Sequence, residues 1–273
     1  MHRYTVRTGL REAGVILVAL VFLVPLLALT NVAFTPQGRP ADALTISWPL
    51  STDNFVQAWS QGALGGALVN SAVVAVLSVV GVVVIAAMAS YPLARSTRRW
   101  SRGTFFFFLA GLLIPSQLGL LPLYVTMRDA GLLGTLWAVV LINIGGQLPF
   151  SIFLYTTFLR ELPVEYEEAA VLDGCGPVRT FVSVVFPLLR AVTGTIVVLN
   201  SVSVWNEFFT PLLYLSGSGQ TTAPVAIYNF VGQYVAQWPL VFAALLITIL
   251  PVLILYFLLQ KYIIRGFAGG LKG

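Results

Sequence analysis

Six long apolar stretches occupy most of the chain and constrain its fold. Crossing a hydrocarbon core of about 30 Å takes about 20 apolar residues in a helix. The stretches that meet this length are Val15–Phe34, Ala67–Tyr91, Phe105–Met127, Leu136–Phe158, Ala191–Leu213 and Leu240–Gln260. Hydrophobic residues make up 58% of the chain and charged residues only 9%, so polar side chains could not cover a water-soluble surface. The sequence predicts an all-α membrane protein with six transmembrane helices.

Basic residues are distributed unequally between the two sides of these predicted spans. With the N-terminus in the cytoplasm, thirteen of the fifteen lysines and arginines fall inside, and only Arg39 and Arg128 fall outside. Basic residues favour the cytoplasmic side of membrane proteins. We therefore expect a multi-pass protein of the cell membrane with both termini cytoplasmic. The first apolar run is too long for a cleaved signal and is interpreted as a retained span. Orientation also accounts for the net charge of +5 without a nucleic-acid-binding face.

One predicted cytoplasmic segment, Leu162–Arg190, is not apolar. Half of the chain's ten acidic residues lie in it or beside it, namely Glu161, Glu165, Glu167, Glu168 and Asp173. Gly174, Gly176 and Pro177 interrupt the segment, which predicts two short helices that meet at a bend. Pro163 suits a first helical turn, where its missing N–H costs nothing, and the early glutamates stabilise the positive end of the helix dipole.

The same segment carries a motif with a fixed spacing. Glu168, Ala169 and Ala170 are followed after three residues by Gly174, and after nine more by Val184, Val185, Phe186 and Pro187. This resembles the EAA loop of permease subunits in binding-protein-dependent ABC importers, with Val and Phe replacing Ile and Leu. The small alanines leave a low surface, and such a helix can enter a groove on a partner. The alternative is an ordinary solvated amphipathic loop.

The resemblance implies a fold, a mechanism and a set of partners. It implies the transmembrane domain of a type I ABC importer, in which this loop docks into a cleft on a cytoplasmic ATPase subunit. The coupling residues would be Glu168, Ala169, Ala170, Asp173, Gly174 and Pro187. The chain would then be a non-enzymatic permease that forms half of the pathway, with ATP and Mg²⁺ bound by two separate ATPase subunits. A second homologous permease and an extracytoplasmic solute-binding protein would complete the importer.

Two further segments are similar to the carbohydrate-uptake branch of this family, and to its smaller maltose-type permease subunit. Trp205–Phe208 looks like the branch's WNEF segment, and Pro251–Gly273 looks like its closing pattern with a Gly-rich tail. In that group the tail reaches the ATPase subunits, whereas its glycine content alone would favour a frayed terminus. The resemblance implies a sugar or a related solute, but the residues do not indicate which.

The predicted spans divide the chain into three parts. Residues 1–66 comprise a cytoplasmic tail, the first span and an outer loop; residues 67–260 form the permease core, with its coupling loop at 159–190; and residues 261–273 form a cytoplasmic tail. Trp48 and Trp59 in the outer loop favour an ordered cap on the membrane. Whether this cap meets a partner or only connects two spans stays open.

Polar residues inside two predicted spans mark a candidate translocation path. They are costly to expose to lipid and tend to face neighbouring helices or water. The candidates are Asn143, Gln147, Asn200, Ser203, Asn206 and Glu207. Asn143 and Gln147 are four residues apart, and Asn200, Ser203 and Glu207 are spaced by three and four, so each of these two sets lies on one helical face. For Glu207, the alternative is that its carboxylate reaches the membrane interface or pairs with a neighbour.

The sequence lacks the residue patterns of an enzyme or a metal site. His2 and Cys175 are its only His and Cys, and no Gly-rich phosphate-binding loop follows a predicted strand. We therefore expect no cofactor or metal in this chain. An ion-coupled secondary transporter or channel that acts without an ATPase is the main alternative function, although it would favour paired ionisable groups near the midplane or an inverted repeat.

Overall fold

The computed structural model of the protein is built from helices. It describes residues 6–39, 42–43, 45, 48–231 and 237–269. The α-helices are α1 (Val6–Ala33), α2 (Asp53–Gln61), α3 (Leu64–Arg95), α4 (Arg99–Gly111), α5 (Leu120–Asp129), α6 (Leu136–Glu161), α7 (Glu165–Leu172), α8 (Pro177–Thr180), α9 (Phe186–Leu188), α10 (Arg190–Trp205), α11 (Phe209–Tyr214), α12 (Ala223–Tyr228) and α13 (Trp238–Gly269). A 3₁₀-helix at Ser116–Gly119 and a π-helix at Phe181–Val185 complete the set. The all-α prediction is confirmed.

Four helices among the described residues are long and apolar enough to cross a membrane. They are Arg11–Ala33 within α1, Leu64–Arg95, Leu136–Glu161, and Trp238–Leu258 within α13. A fifth candidate arises if Pro177–Leu188 and Arg190–Trp205, which are bent by 74° to each other, form one broken span. The predicted first, second, fourth and sixth stretches therefore correspond to single helices.

The predicted third stretch, Phe105–Met127, is wrong as one continuous helix. The chain instead forms α4, a short irregular segment, the 3₁₀-helix and α5. Pro115 lies in the break, where it has no N–H to continue the helical hydrogen bonding. Apolar composition alone does not report such a break, because the interrupting residues are themselves weakly polar or apolar.

The predicted fifth stretch, Ala191–Leu213, is also wrong as one helix. α10 ends at Trp205, and α11 starts only at Phe209. The Glu207 Oε2 atom accepts a hydrogen bond of 2.9 Å from the Thr210 backbone N–H, one of the first amides of α11. The first amides of a helix have no partner within that helix, so this contact stabilises the start of α11.

Two compact units occur in the chain, and the larger consists of Gly66–Val225 and Pro251–Gly273. Its core lies between α3, α6, the π-helix and α10. The buried apolar residues of this core include Val82, Ala86, Tyr155, Leu159, Val185, Leu189, Val192 and Ile196. Small residues bring α3 and α6 close together: a Cβ added to Gly81 would lie 2.5 Å from Ile144 Cδ1. This packing fixes the helix ends from which the site is built.

The smaller unit consists of Met1–Gly65 and Ala226–Leu250. The segment between α1 and α2 is held by amide side chains that bond to backbone carbonyls. The buried Asn54 Nδ2 donates to Ala33 O at 3.0 Å and to Thr35 O at 2.7 Å. Phe34 and Phe55 pack with ring centroids 4.7 Å apart. These contacts join α2 to the end of α1 and to the residues that follow it.

The structure describes only part of the predicted C-terminal tail. α13 continues past the predicted end of the sixth span at Gln260 and reaches Gly269. The first part of the predicted C-terminal tail is therefore helical in its backbone. His2 and the final tail residues 270–273 lie outside the described residues.

Candidate functional site

The predicted coupling loop is formed by two helical arms joined by a turn. α7 is the first arm, and α8, the π-helix and α9 together form the second, from Pro177 to Leu188. The prediction of two short helices meeting at a bend is confirmed. The role predicted for Pro163 is wrong, because this proline precedes the helix and Val164 is the N-cap. Pro177 instead occupies the first turn of α8, where its missing N–H has no helical partner to lose.

Backbone hydrogen bonds define the turn between the arms. Gly174 N donates to Val171 O at 3.0 Å, and Cys175 N donates to Ala170 O at 2.9 Å. Gly174 has a φ of +81°, a left-handed conformation that costs L-residues about 1–2 kcal/mol. This pattern is a Schellman C-cap. A Cβ added to Gly174 would meet nothing within 4 Å, so glycine is favoured by backbone conformation and not by space.

The outer surface of the turn is apolar and exposed. Leu172 is 88% exposed, Val178 78% and Val171 62%. Among the predicted coupling residues, Glu168, Ala169, Asp173, Gly174 and Pro187 are also exposed. Ala170 is the exception, since it is only 6% exposed and faces the interior of the protein. Because this turn belongs to the polar segment of the chain, its exposed apolar side chains mark a candidate surface for contact with a partner.

Three polar contacts hold the first arm against the end of α3. Arg95 Nε donates to Glu167 Oε1 at 2.7 Å, and the Tyr91 hydroxyl donates to Glu167 Oε2 at 2.9 Å. Arg95 Nη2 also donates to Leu162 O at 3.0 Å. The Arg95 and Glu167 side chains are only 19% and 13% exposed. α7 is therefore fixed to α3 through the glutamate that precedes the motif residue Glu168.

The second arm turns sharply into α10. Pro187 lacks an N–H, so it cannot make the helical bond back to Ser183. The π-helix ends two residues earlier, and the helices on either side of Leu189 are bent by 74°. Val185 and Leu189 are each 1% exposed and anchor the bend in the core. Motion of the arm is thus linked by covalent connection and packing to α10.

The candidate path residues on α6 and α10 occupy two different environments. Asn200 is 1% exposed, and its Nδ2 donates to Ser151 Oγ at 3.0 Å. Asn143 is 7% exposed and donates to Val139 O of its own helix at 2.9 Å. Gln147 Nε2 donates to Ser203 Oγ at 2.7 Å, and Ser203 is exposed. Of the two contacts that join α6 to α10, the Asn200–Ser151 contact is buried and the Gln147–Ser203 contact lies at the surface of the chain.

The two remaining candidates lie where α10 ends. Asn206 is exposed and its Nδ2 donates to Val202 O at 2.8 Å. Glu207 is half-buried and caps α11 through the Thr210 amide. Both side chains therefore take part in the local geometry of the break between α10 and α11.

Within the described residues, no group of three His, Cys, Asp or Glu side chains is arranged to hold a metal ion.

Sequence reasoning missed the residues that anchor the loop. The sequence places Tyr91 at the end of a predicted span and Glu167 within an acidic cluster, and it counts Arg95 only as one of the thirteen basic residues predicted to be cytoplasmic. A usable signal exists, because Tyr91 and Arg95 are four residues apart and share a helical face. Their common partner lies more than seventy residues away in the chain, which no local pattern reveals.

The family of the chain is shown by comparison with known proteins. The family model described as "Binding-protein-dependent transport system inner membrane component" matches residues 81–269, more than half of the chain. The chain belongs to this family. It is a permease subunit of an ATP-driven importer, and this excludes the alternative of a transporter or channel that acts without an ATPase.

Curated relatives of similar length support the assignment. The chain is 31% identical over 255 residues to the melibiose/raffinose/stachyose import permease protein MelC of Bacillus subtilis, covering 93% of this chain and 92% of that one. It is 31% identical over 226 residues to the multiple sugar-binding transport system permease protein MsmG of Streptococcus mutans, covering 81% of each.

A solved structure shows the same fold. It is the crystal structure of a bacterial ABC transporter involved in the import of the acidic polysaccharide alginate, and its matching chain gives a TM-score of 0.80. The alignment covers 96% of this chain and 99% of that chain at 20% identity. The protein therefore has the fold of a type I ABC importer permease.

Proposed function

We propose that this permease crosses the cell membrane six times, with both termini cytoplasmic, and forms half of the pathway for a sugar or related solute. A second homologous permease would form the other half. Two ATPase subunits would bind ATP and Mg²⁺ and hydrolyse the ATP, and an extracytoplasmic binding protein would deliver the solute. This chain itself would carry out no catalysis.

Helix lengths support six crossings. α4 has 13 residues and α5 has 10. At 1.5 Å per residue these helices are roughly 20 and 15 Å long, too short to cross the membrane separately. α10, with 16 residues, is roughly 24 Å long and needs α11 to complete a crossing. Together with α1, α3, α6 and α13, the two broken units make six crossings, and the basic residues support cytoplasmic termini.

The exposed turn between α7 and α8 is the observation that carries the proposed coupling. Its apolar residues Leu172 and Val178 are exposed, as is Glu168, and the left-handed Gly174 forms the turn between the arms that carry them. A cleft on an ATPase subunit would bury these side chains and pair with the carboxylate. Movement of the ATPases would then push α7 and the second arm, which connect to α3 and α10.

Site-specific cross-linking tests both the topology and the contact. In a Cys175→Ser background, Leu172→Cys is expected to cross-link to the ATPase subunit in the assembled importer and to resist impermeant thiol reagents added outside. Val56→Cys, which is also exposed but lies on the outer α2, is the matched control. It should react from outside and form no ATPase adduct. Labelling of Leu172→Cys from outside would contradict the proposal.

Charge reversal tests the carboxylate itself. Glu168→Lys should lower ATP-driven uptake by at least about tenfold, because a repelled contact loses more than about 1.4 kcal/mol. Insertion of the variant should match that of the wild type, since the side chain is exposed. Uptake at the wild-type rate would remove Glu168 from the coupling surface.

The solute is tested with a panel of sugars. Relatives named for melibiose, raffinose, stachyose and multiple-sugar transport support a sugar. The reconstituted importer, with its binding protein, is expected to hydrolyse ATP faster with at least one of melibiose, raffinose and stachyose than with glycerol 3-phosphate or sorbitol. Stimulation only by the last two would contradict the sugar assignment.

A further inference from the structure

The cytoplasmic end of α3 contacts both arms of the coupling loop. Tyr91 and Arg95, one helical turn apart, both bind the Glu167 carboxylate of the first arm, at 2.9 and 2.7 Å. The Tyr91 ring also packs on Phe181 of the second arm, with ring centroids 5.2 Å apart. The Phe181 ring in turn packs near the Phe186 ring, with centroids 6.1 Å apart, close to the bend into α10. A single turn of α3 therefore contacts both arms of the loop.

The contacts on Glu167 are stronger than those of an ordinary surface ion pair. Both charged side chains are more than four-fifths buried, so water screens their attraction less than at an exposed site. Each carboxylate oxygen has its own donor, and the guanidinium is held a second time by Leu162 O, just before α7. Such geometry fixes the direction from which α7 leaves α6.

The neighbouring glutamates have opposite environments. Glu167 is mostly buried and bonded within the chain, whereas Glu168 is exposed and makes no ion pair among the described residues. Adjacent positions on a helix are separated by about 100°, so one carboxylate can face the protein while the next faces a partner. This arrangement separates the residue that holds the helix from the residue available for docking.

We propose that Tyr91, Arg95 and Glu167 form a positioning latch, which makes α7 and the end of α3 move as one body. The proposal rests on the proposed ATPase coupling and deepens it: a force applied to α7 reaches α3 through this latch as well as α10 through the chain. The three are positioning residues. They act on transport through the helices that they join.

Hydrogen exchange in the whole importer, assembled in lipid nanodiscs, tests the latch without a solute. The probe is MgATP with vanadate, and exchange is followed in the amides of α7 and of the last turns of α3. In the wild type, the nucleotide is expected to change exchange at both places. In Glu167→Gln and Arg95→Gln, α7 should exchange about tenfold faster, the equivalent of about 1.4 kcal/mol, because one charge-assisted pair is lost.

The decisive measurement is whether the nucleotide response at α7 also reaches the end of α3. In both glutamine variants the nucleotide should still change exchange in α7 but no longer at the end of α3. The charge swap Arg95→Glu with Glu167→Arg should restore part of the response. Glu161→Gln removes an exposed carboxylate from the end of α6 and is expected to behave as the wild type. A general loss of folding would instead affect both sites and would not be rescued by the swap.

A milder variant keeps the test decisive if the glutamine variants do not insert. Tyr91→Phe keeps the ring on Phe181 and removes only the hydroxyl donor, so we expect about threefold faster exchange in α7. The latch alone would be overturned if the inserted variants kept the wild-type exchange rate in α7 and the nucleotide still changed exchange at the end of α3. A wild-type importer with no response to nucleotide at either helix would overturn the proposed coupling itself.

Discussion

The coupling loop and the α6–α10 contact region use polar side chains for different purposes. In the loop, Arg95 and Glu167 hold a protruding turn whose apolar residues remain exposed. Between α6 and α10, Asn200 and Ser151 bond to each other within a packed interior. The first arrangement holds an exposed apolar surface in one orientation, whereas the second satisfies polar groups among the chain's own helices. Polarity within an apolar sequence therefore does not by itself identify a transport path.

The largest expected effect comes from the turn of the coupling loop. Gly174→Val places a β-branched residue at a φ of +81°, where left-handed backbone costs any L-residue about 1–2 kcal/mol and a branched one more. The turn should open, and ATP-driven uptake should fall at least about tenfold, measured in proteoliposomes with matched amounts of inserted protein.

Gly176→Ala is the matched control for this change. Gly176 has a φ of −72° that any residue adopts, and a Cβ there would meet nothing within 4 Å. Uptake should stay close to the wild-type rate. If both variants lost uptake equally, the special conformation of Gly174 would not explain its role.

A smaller effect, on stability, is expected in the packed interior. Asn200→Leu removes the partner of the buried Ser151 hydroxyl and leaves it unsatisfied, which costs about 1–3 kcal/mol. Thermal unfolding of the detergent-solubilised protein should show a lower midpoint. Asn206→Leu is the control, because that side chain is exposed and its bond within the described residues goes to Val202 O of its own helix. An equal fall in both variants would contradict the structural role of Asn200.

The smallest stability change sharpens the same comparison. Gln147→Ala breaks the contact with Ser203, which lies at the surface of the chain, and should alter stability by less than about 0.5 kcal/mol. If this surface borders the path, the variant should instead change the solute concentration that gives half-maximal uptake. A clear loss of stability with unchanged uptake would assign Gln147 to helix packing.

Much of the architecture follows from local patterns. Long apolar runs predict α1, α3, α6 and α13, because a helix of that composition needs only its own backbone bonds and an apolar environment. The two arms of the coupling loop follow from its acidic start and from Gly174, Gly176 and Pro177. The breaks inside the third and fifth stretches do not follow from apolar composition, since they depend on the missing N–H of Pro115 and on the bond from the Thr210 amide to Glu207.

A helical membrane permease with an EAA-like loop can be predicted from the amino-acid sequence, because apolar length and motif spacing are properties of neighbouring residues. The folded structure is needed to show which of two adjacent glutamates, Glu167 and Glu168, holds the loop and which is exposed. It also decided that Asn200 is buried while Ser203 is exposed. The physical reason is that ion pairing and burial join residues that are distant in the chain, such as Arg95 and Glu167, through helices packed side by side.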